Sequence, residues 1–439
     1  MSVPCHRALL PLLALLLALA TGVARPEVRL LPEPPPLGPA DQAFLEDLSH
    51  RAFLYFWEQA DPLTGLVRDR CRPDGASYGP NHAFVGSIAS TGFGLTALCI
   101  AAERGWVAHN AARERVRATL RFVAARLPHV NGWYYHFVDV RTGLRAWNSE
   151  VSSIDTALLL AGVLTARQAF ADDLELVRLG RRIYDRVDFR WMLAGHPTLL
   201  SHGWRPETGF IPSRWDTCSE HALLYLLALG SRTSALSPGS WTAWRRPSVS
   251  FGPWRFFSGA PLFSHQYSHA WFDFRGLREA RPPHTDWFGN SAAATRAHRA
   301  FCASLAGEFP AYSRDLWGIT ASDGPQGYVA WGGPPRDPAI DGTVVPCAAG
   351  GSLMLAHDVA LPALRTMRRR FGDRVWGRYG FVDAFHPTSG WNSNSVLGID
   401  QGITLLSAEN LRSGLVWRLF MQNPEPRRAL ARAGFERWN

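Results

Sequence analysis

Beyond residue 40, apolar positions recur with a helical period. Residues 41–60 set Phe44, Leu45, Leu48, Ala52, Phe53 and Phe56 on one face. Residues 90–104 open on Ser90-Thr91 and stop at Gly105, a start and a stop signal for a helix. Further helices are expected over 111–127, 152–170, 174–187, 218–230, 291–309, 350–370 and 402–418. Two kinds alternate. Stretches 91–102, 156–164, 222–229, 348–355 and 403–408 are small and apolar nearly all round, so each must be buried on every side. The other kind carries charge on one face. This alternation predicts an all-α fold of two concentric helix rings, an (α/α)6 barrel whose inner helices open their N-terminal ends on one cleft. Strand patterns are sparse, and 231–290 and 315–345 read as loop-rich insertions with short hairpins.

The first forty residues add two segments. His6 and Arg7 precede an apolar run over 9–20 that closes Ala18-Leu19-Ala20, which predicts a signal peptide at 1–20. The expected location is periplasmic or secreted. The run is short for a span, which needs about 20 apolar residues, so no membrane span is expected after signal cleavage. Residues 21–40 read as a Pro-rich linker, and 41–439 as one domain. Cys71, Cys99, Cys218, Cys302 and Cys347 remain, widely spaced and without a CxxC pair. That excludes a zinc knuckle or thioredoxin-type site and leaves pairing in an oxidising compartment open.

The formal net charge of +9 raises the question of a nucleic-acid partner. Every basic side chain counted in it is arginine, spread among acids as in Arg113-Glu114-Arg115. No basic tail or nucleic-acid motif accompanies them, so no nucleic-acid partner is expected. The 18 Trp are more telling. Trp133, Trp147, Trp204, Trp215, Trp271, Trp331 and Trp391 fall in loop-like segments, where flat rings could hold the apolar face of a sugar.

Acids mark where several of the buried-type helices begin. They stand in Glu150-Val151-Ser152-Ser153-Ile154-Asp155-Thr156, Asp216-Thr217-Cys218-Ser219-Glu220-His221 and Gly398-Ile399-Asp400-Gln401-Gly402. One such acid would be read as a helix cap. Three, on helices that converge on one cleft, point to chemistry. Glycoside hydrolysis needs a protonated carboxyl to load the leaving oxygen and an ionised one to activate water or attack carbon. Asp216 and Glu220 would form a like-charge pair one turn apart if both were helical, which would help Glu220 hold its proton, whereas a helix N-terminus works in the opposite direction and leaves the net shift open.

Together with Ser90-Thr91-Gly92-Phe93-Gly94-Leu95, residues 214–225, Tyr379-Gly380-Phe381-Val382-Asp383-Ala384-Phe385 and residues 398–421, these segments resemble the bacterial glucoamylase-like family. Its relatives include endo-β-1,2-glucanases and the related domain of cyclic β-1,2-glucan synthases. The resemblance implies an (α/α)6 barrel that hydrolyses glucan, with inversion. By position it makes Glu220 the acid and Asp400 the water-guiding base, with Asp383 in reserve and Asp155 a further carboxylate. Glu150, Trp147, Arg214, Trp215, Asp216, His265, Gln266, Tyr267, Trp331, Trp391 and Gln401 are the expected substrate-binding residues. The family pattern of an acid, two residues, then Glu is replaced here by Ser152 and Asp155, with Glu150 upstream. That departure leaves the linkage, and endo against exo action, open.

His265 and His269 stand four apart, but without the glutamate of HExxH. They are expected to hydrogen-bond sugar hydroxyls rather than a metal. No metal and no cofactor is expected. A polysaccharide lyase would want clustered basic residues in the cleft, and none is evident. An oligo- or polysaccharide is the expected partner. The alternatives to a hydrolase are a β-glucan transglycosylase and a periplasmic glucan-binding protein without activity.

Overall fold

The helices that are apolar all round are buried all round. The computed structural model describes residues 36–259 and 261–438. Among the described residues the α-helices are α1 (Pro39–Glu58), α2 (Ile88–Arg104), α3 (His109–Ala125), α4 (Ser153–Ala169), α5 (Leu174–Asp185), α6 (Ala222–Gly230), α7 (Gly239–Thr242), α8 (Tyr267–Trp271), α9 (Trp287–Ser304), α10 (Pro346–Gly350), α11 (Leu353–Phe371), α12 (Gly398–Arg412), α13 (Leu415–Met421) and α14 (Pro424–Ala433). Nearly every residue of α2, α4, α6, α8, α10 and α12 is buried. These helices pack in a closed circuit: α2 on α4, α4 on α6, α6 on α8, α8 on α12 and α12 back on α2, with α10 seated on α12. Helices α1, α3, α5, α11 and α14 pack against members of that circuit.

The tightest contact in the circuit is between α2 and α4, and glycine permits it. A Cβ on Gly92 would lie 2.3 Å from the Leu158 carbonyl oxygen, and one on Gly162 would lie 2.0 Å from the Gly92 carbonyl oxygen. Two helix backbones touch there with no side chain between them. Charge is sorted along the same helices. Arg104, in the last turn of α2, pairs with Glu409 at 2.8 Å, and Arg167 of α4 pairs with Glu425 at 2.5 Å. Cations near helix C-termini and acids near N-termini both suit the helix dipole. On the surface, Arg113, Arg117 and Arg121 of α3 pair with Asp172, Asp173 and Glu175, so these arginines answer acids.

Several boundaries differ from those expected. Ser87, not Ser90, caps α2 by accepting from the Ser90 N–H at 3.3 Å. Helix α6 begins at Ala222, four residues late, because 218–221 turn before it. The helix expected over 402–418 breaks at Gly414, whose φ of 65° opens α13. Strands are short, and the insertions carry the hairpins Ser248–Phe251 with Trp254–Phe257 and Ala321–Gly324 with Gly327–Ala330. All five cysteines named above are buried and none is paired. The signal peptide and residues 21–35 of the expected linker lie outside the described residues, whereas Pro39 and Ala40 already belong to α1. No helix among the described residues is long and apolar enough to cross a membrane.

Gly162→Ala is expected to destabilise the fold by about 1–3 kcal/mol, since the methyl meets backbone that cannot turn aside. Urea unfolding of the two proteins measures it. An unchanged midpoint would contradict the backbone contact.

Candidate active site

The N-terminal ends of the buried circuit face one another. Asp155 and Asp400 lie in the first turns of α4 and α12, Glu220 two residues before α6, Tyr267 at the start of α8 and Cys347 in the first turn of α10. Short strand pairs hold the entering chain: Val151–Ser152 against Gly203–Arg205, and Arg70–Cys71 against Val396–Leu397.

From Glu150 a row of polar groups follows, some in contact and some acting on one another across space. His136 Nδ1 meets Glu150 Oε1 at 3.1 Å, and its Nε2 lies 3.5 Å from Asp155 Oδ1. The charge of Asp155 reaches Glu220. Tyr267 and Tyr328 each sense both Glu220 and Asp400. Asp400 is hydrogen-bonded to Asp383 and to the Cys347 thiol. Asp383 Oδ2 accepts the Asp323 N–H at 2.7 Å. Arg70 then joins Asp323 at 3.3 Å to Asp69 at 2.9 Å. The charge of Asp69 in turn acts on His136. Linked partly by contact and partly by charge acting across space, these groups make up the ring around the mouth.

Electrostatics divides the ring into parts with different proton states. Burial raises the pKa of Glu220; hydrogen bonds from Ser219 and the backbone oppose this, and Asp155 adds to it. Glu220 keeps some contact with solvent, as a group at the floor of a cleft would. Asp383 and Asp400 are buried side by side, and Asp383 Oδ1 and Asp400 Oδ2 have no donor among the other described groups. Burial raises both; the Asp400 charge raises Asp383 further, well above the usual carboxylate range, whereas the hydrogen bond from Asp383 lowers Asp400, which stands at about 6. At the other end, burial pushes His136 down, but Asp155 and Glu150 outweigh it and hold the imidazolium up to about 9. The His136 hydrogen bond takes Glu150 down to about 2.

The structure thus gathers Glu220, Asp155, Asp400, Asp383, Glu150 and Tyr267. Trp147 stands beside them, 47% exposed, with its ring 5.0 Å from Phe137, which stacks on His136 at 3.8 Å. Other expected contacts are corrected. Arg214 donates to the carbonyls of Leu193, Leu199 and Ala194, so it pins a loop and reaches neither Asp216 nor Glu220. Asp216 is half exposed and pairs with Arg245 at 3.3 Å. It is outside any helix and does not press on Glu220. Trp215 is buried, donating to Ser153 at 2.8 Å. Trp331 is buried and donates to Ser322. Trp133 and Trp271 are core residues, and Trp204 and Trp391 are half-buried.

His265 bonds Ser258 at 3.0 Å and His269 bonds Ser291 at 2.9 Å. Burial pushes their pKa values to about 4 and about 3, so both are neutral, and each is buried against a serine hydroxyl. Gln266 ties α8 to Ala348 and Ser352, and Gln401 holds the Phe381 carbonyl. These amide N–H groups are spent on structure, while Gln266 Oε1 has no donor among the described residues. Ser152 caps α4 and donates to Asp155 at 2.5 Å. Sequence reasoning missed His136, Arg70, Asp69, Asp323, Tyr328 and Cys347. The only available signal was for Cys347, directly ahead of the buried stretch 348–355.

Residues 212–424 match the family model described as "Putative glucoamylase". The resemblance to the glucoamylase-like family holds. The matched glucoamylase-like segment includes Glu220, Tyr267, Asp383 and Asp400. The chain is 26% identical over 435 residues to an exo β-1,2-glucooligosaccharide sophorohydrolase (non-reducing end) from Parabacteroides distasonis, with 89% of this chain covered. It spans 57% of that curated relative's length. An endo-β-1,2-glucanase from Chitinophaga pinensis, solved with sophorotriose and glucose, superposes with TM-score 0.83 at 26% identity, over 91% of this chain and 99% of that one. An endo-β-1,2-glucanase from Talaromyces funiculosus, solved with sophorose, shares the fold at TM-score 0.62 and 14% identity, over 87% and 85% of the two chains. By name these relatives are glycoside hydrolases.

The His136–Glu150 pair sets a pH signature. His136 lies above its ordinary 6.5, so its contribution is full below pH 6.5 and lost as pH rises through about 9. Glu150 lies below its ordinary 4.5, so its share is full above pH 4.5 and lost as pH falls through about 2. Thermal unfolding of wild type and His136→Gln should therefore differ most between pH 4.5 and 6.5 and converge on either side. A pH-independent difference would contradict the pairing.

Proposed function

We propose that the protein is an exported inverting glycoside hydrolase that cleaves a β-1,2-linked glucan, built on an (α/α)6 barrel that begins with α1 at Pro39. A signal peptide at 1–20 and a linker from residue 21 to α1 would precede it. The closed circuit of buried helices and the solved relatives support the barrel. The names of the relatives support the linkage, and the carboxyl ring supports the chemistry.

One observation carries the reading. A carboxyl whose pKa burial raises, Glu220, shares the mouth with a buried acid pair in which Asp383 is pushed well above Asp400. These are the two states that inverting hydrolysis needs. Glu220 gives its proton to the glycosidic oxygen as the bond to the anomeric carbon breaks. Asp400 takes a proton from the water that attacks that carbon from the opposite face. Asp383 keeps its own proton and so leaves Asp400 free to act as the base. Asp155 helps Glu220 retain its proton until the leaving oxygen needs it. Trp147 offers an exposed ring to a sugar beside Glu150. No cofactor enters these steps.

The test is a product assay of the purified protein on linear β-1,2-, β-1,3-, β-1,4- and α-1,4-glucans. Short oligosaccharides should come from the β-1,2-glucan alone. Removing the acid should lower the rate by about 10²–10⁴-fold in Glu220→Gln. Full activity in Glu220→Gln would sink the assignment of the acid. Turnover of another linkage only would overturn the substrate.

A further inference from the structure

The hairpin of Ala321–Gly324 and Gly327–Ala330 bears on the ring through both strands. In its register Asp323 stands opposite Tyr328, and Ser322 opposite Val329. Directly opposed residues of an antiparallel pair project from the same face. On that face the Asp323 carboxylate meets Arg70 at 3.3 Å, Ser393 at 3.0 Å and Ser395 at 2.7 Å, while its N–H holds Asp383. The opposite face is anchored by Trp331, which donates to Ser322 at 3.0 Å. Tyr328 therefore projects toward the acids. The charges of Asp400, Asp383 and Glu220 all reach its phenol. The residue is 64% exposed. A large ring open to solvent, fixed on a hairpin whose Asp323 N–H holds Asp383, has the placement of a platform waiting for a ligand.

We propose that Tyr328 is a sugar-stacking residue, which takes the apolar face of the pyranosyl unit that lies between Glu220 and Asp400. The inference rests on the glycosidase reading and assigns that site a binding residue outside the acid row. Asp323, on the same hairpin, keeps the platform in register with Asp383, so a sugar seated on Tyr328 is held at a fixed height over the acid pair. The phenol hydroxyl is not required for such a contact; the ring is.

Binding is read by calorimetry with short linear β-1,2-glucooligosaccharides on the Glu220→Gln protein, in which turnover is suppressed. Adding Tyr328→Ala should weaken binding by about tenfold, and Tyr328→Phe should stay within about threefold, as expected of an aromatic contact worth about 1.4 kcal/mol. The unfolding temperature should not move, because the side chain stands in solvent. In the active protein Tyr328→Ala should raise KM by a larger factor than it lowers kcat. Equal affinity of the Ala and Tyr proteins would overturn the proposal. A loss as large in Tyr328→Phe as in Tyr328→Ala would replace stacking by a hydroxyl contact and also overturn it. If the Glu220→Gln protein binds none of the oligosaccharides while Tyr328 is intact, the glycosidase reading itself fails, and this inference falls with it.

Discussion

A carboxyl group taken out of water must find a partner or keep its proton. The mouth of this molecule is organised around that constraint. Asp383 and Asp400 are both buried, and burial together with the Asp400 charge raises Asp383 well above the usual carboxylate range. Asp323 is satisfied by Arg70 and two serines, and Glu150 by His136. Glu220 has only Ser219 and backbone to set against burial, so its pKa rises. Neighbouring carboxyls of one chemical type are thereby driven to different proton states, which is the requirement for dividing acid and base roles between them.

The helices supply the geometry. Backbone contact at Gly92 and Gly162 locks α2 to α4 and fixes where Asp155 emerges. The paired strands ahead of α4 and α12 aim Glu150 and Asp400 inward. Arginines at the far ends of α2 and α4 pair with Glu409 and Glu425. The core is thus held by close packing and by buried ion pairs at one end, and the unpaired carboxyls gather at the other. The loops around the mouth carry the exposed rings, Trp147 and Tyr328.

Much of this was legible in the chain. Small apolar helices announced the buried circuit, because nothing else explains stretches such as 156–164 without a polar face. The acids at their starts announced the mouth, and Glu220, Asp400, Asp383 and Asp155 do meet there. The residues that went unseen are those whose position depends on long-range folding. Asp323 and Tyr328 act through a hairpin, and His136 and Arg70 act through strand pairs whose partners are far off in sequence. The misread residues share another cause. Arg214, Gln266 and His265 are polar and adjacent to the site in sequence, but each has a buried structural partner that no local pattern displays. Trp215 and Trp331 lie in loops, yet those loops fold inward.

The most direct test of the proton on Asp383 is infrared difference spectroscopy at pH 7 between wild type and Asp383→Asn, in which the Glu220 carboxyl cancels. The account predicts one protonated-carboxyl stretch present in the wild type and lost from the variant while the protein remains folded. A difference spectrum without that stretch would contradict the proton on Asp383 and with it the division of roles at the mouth.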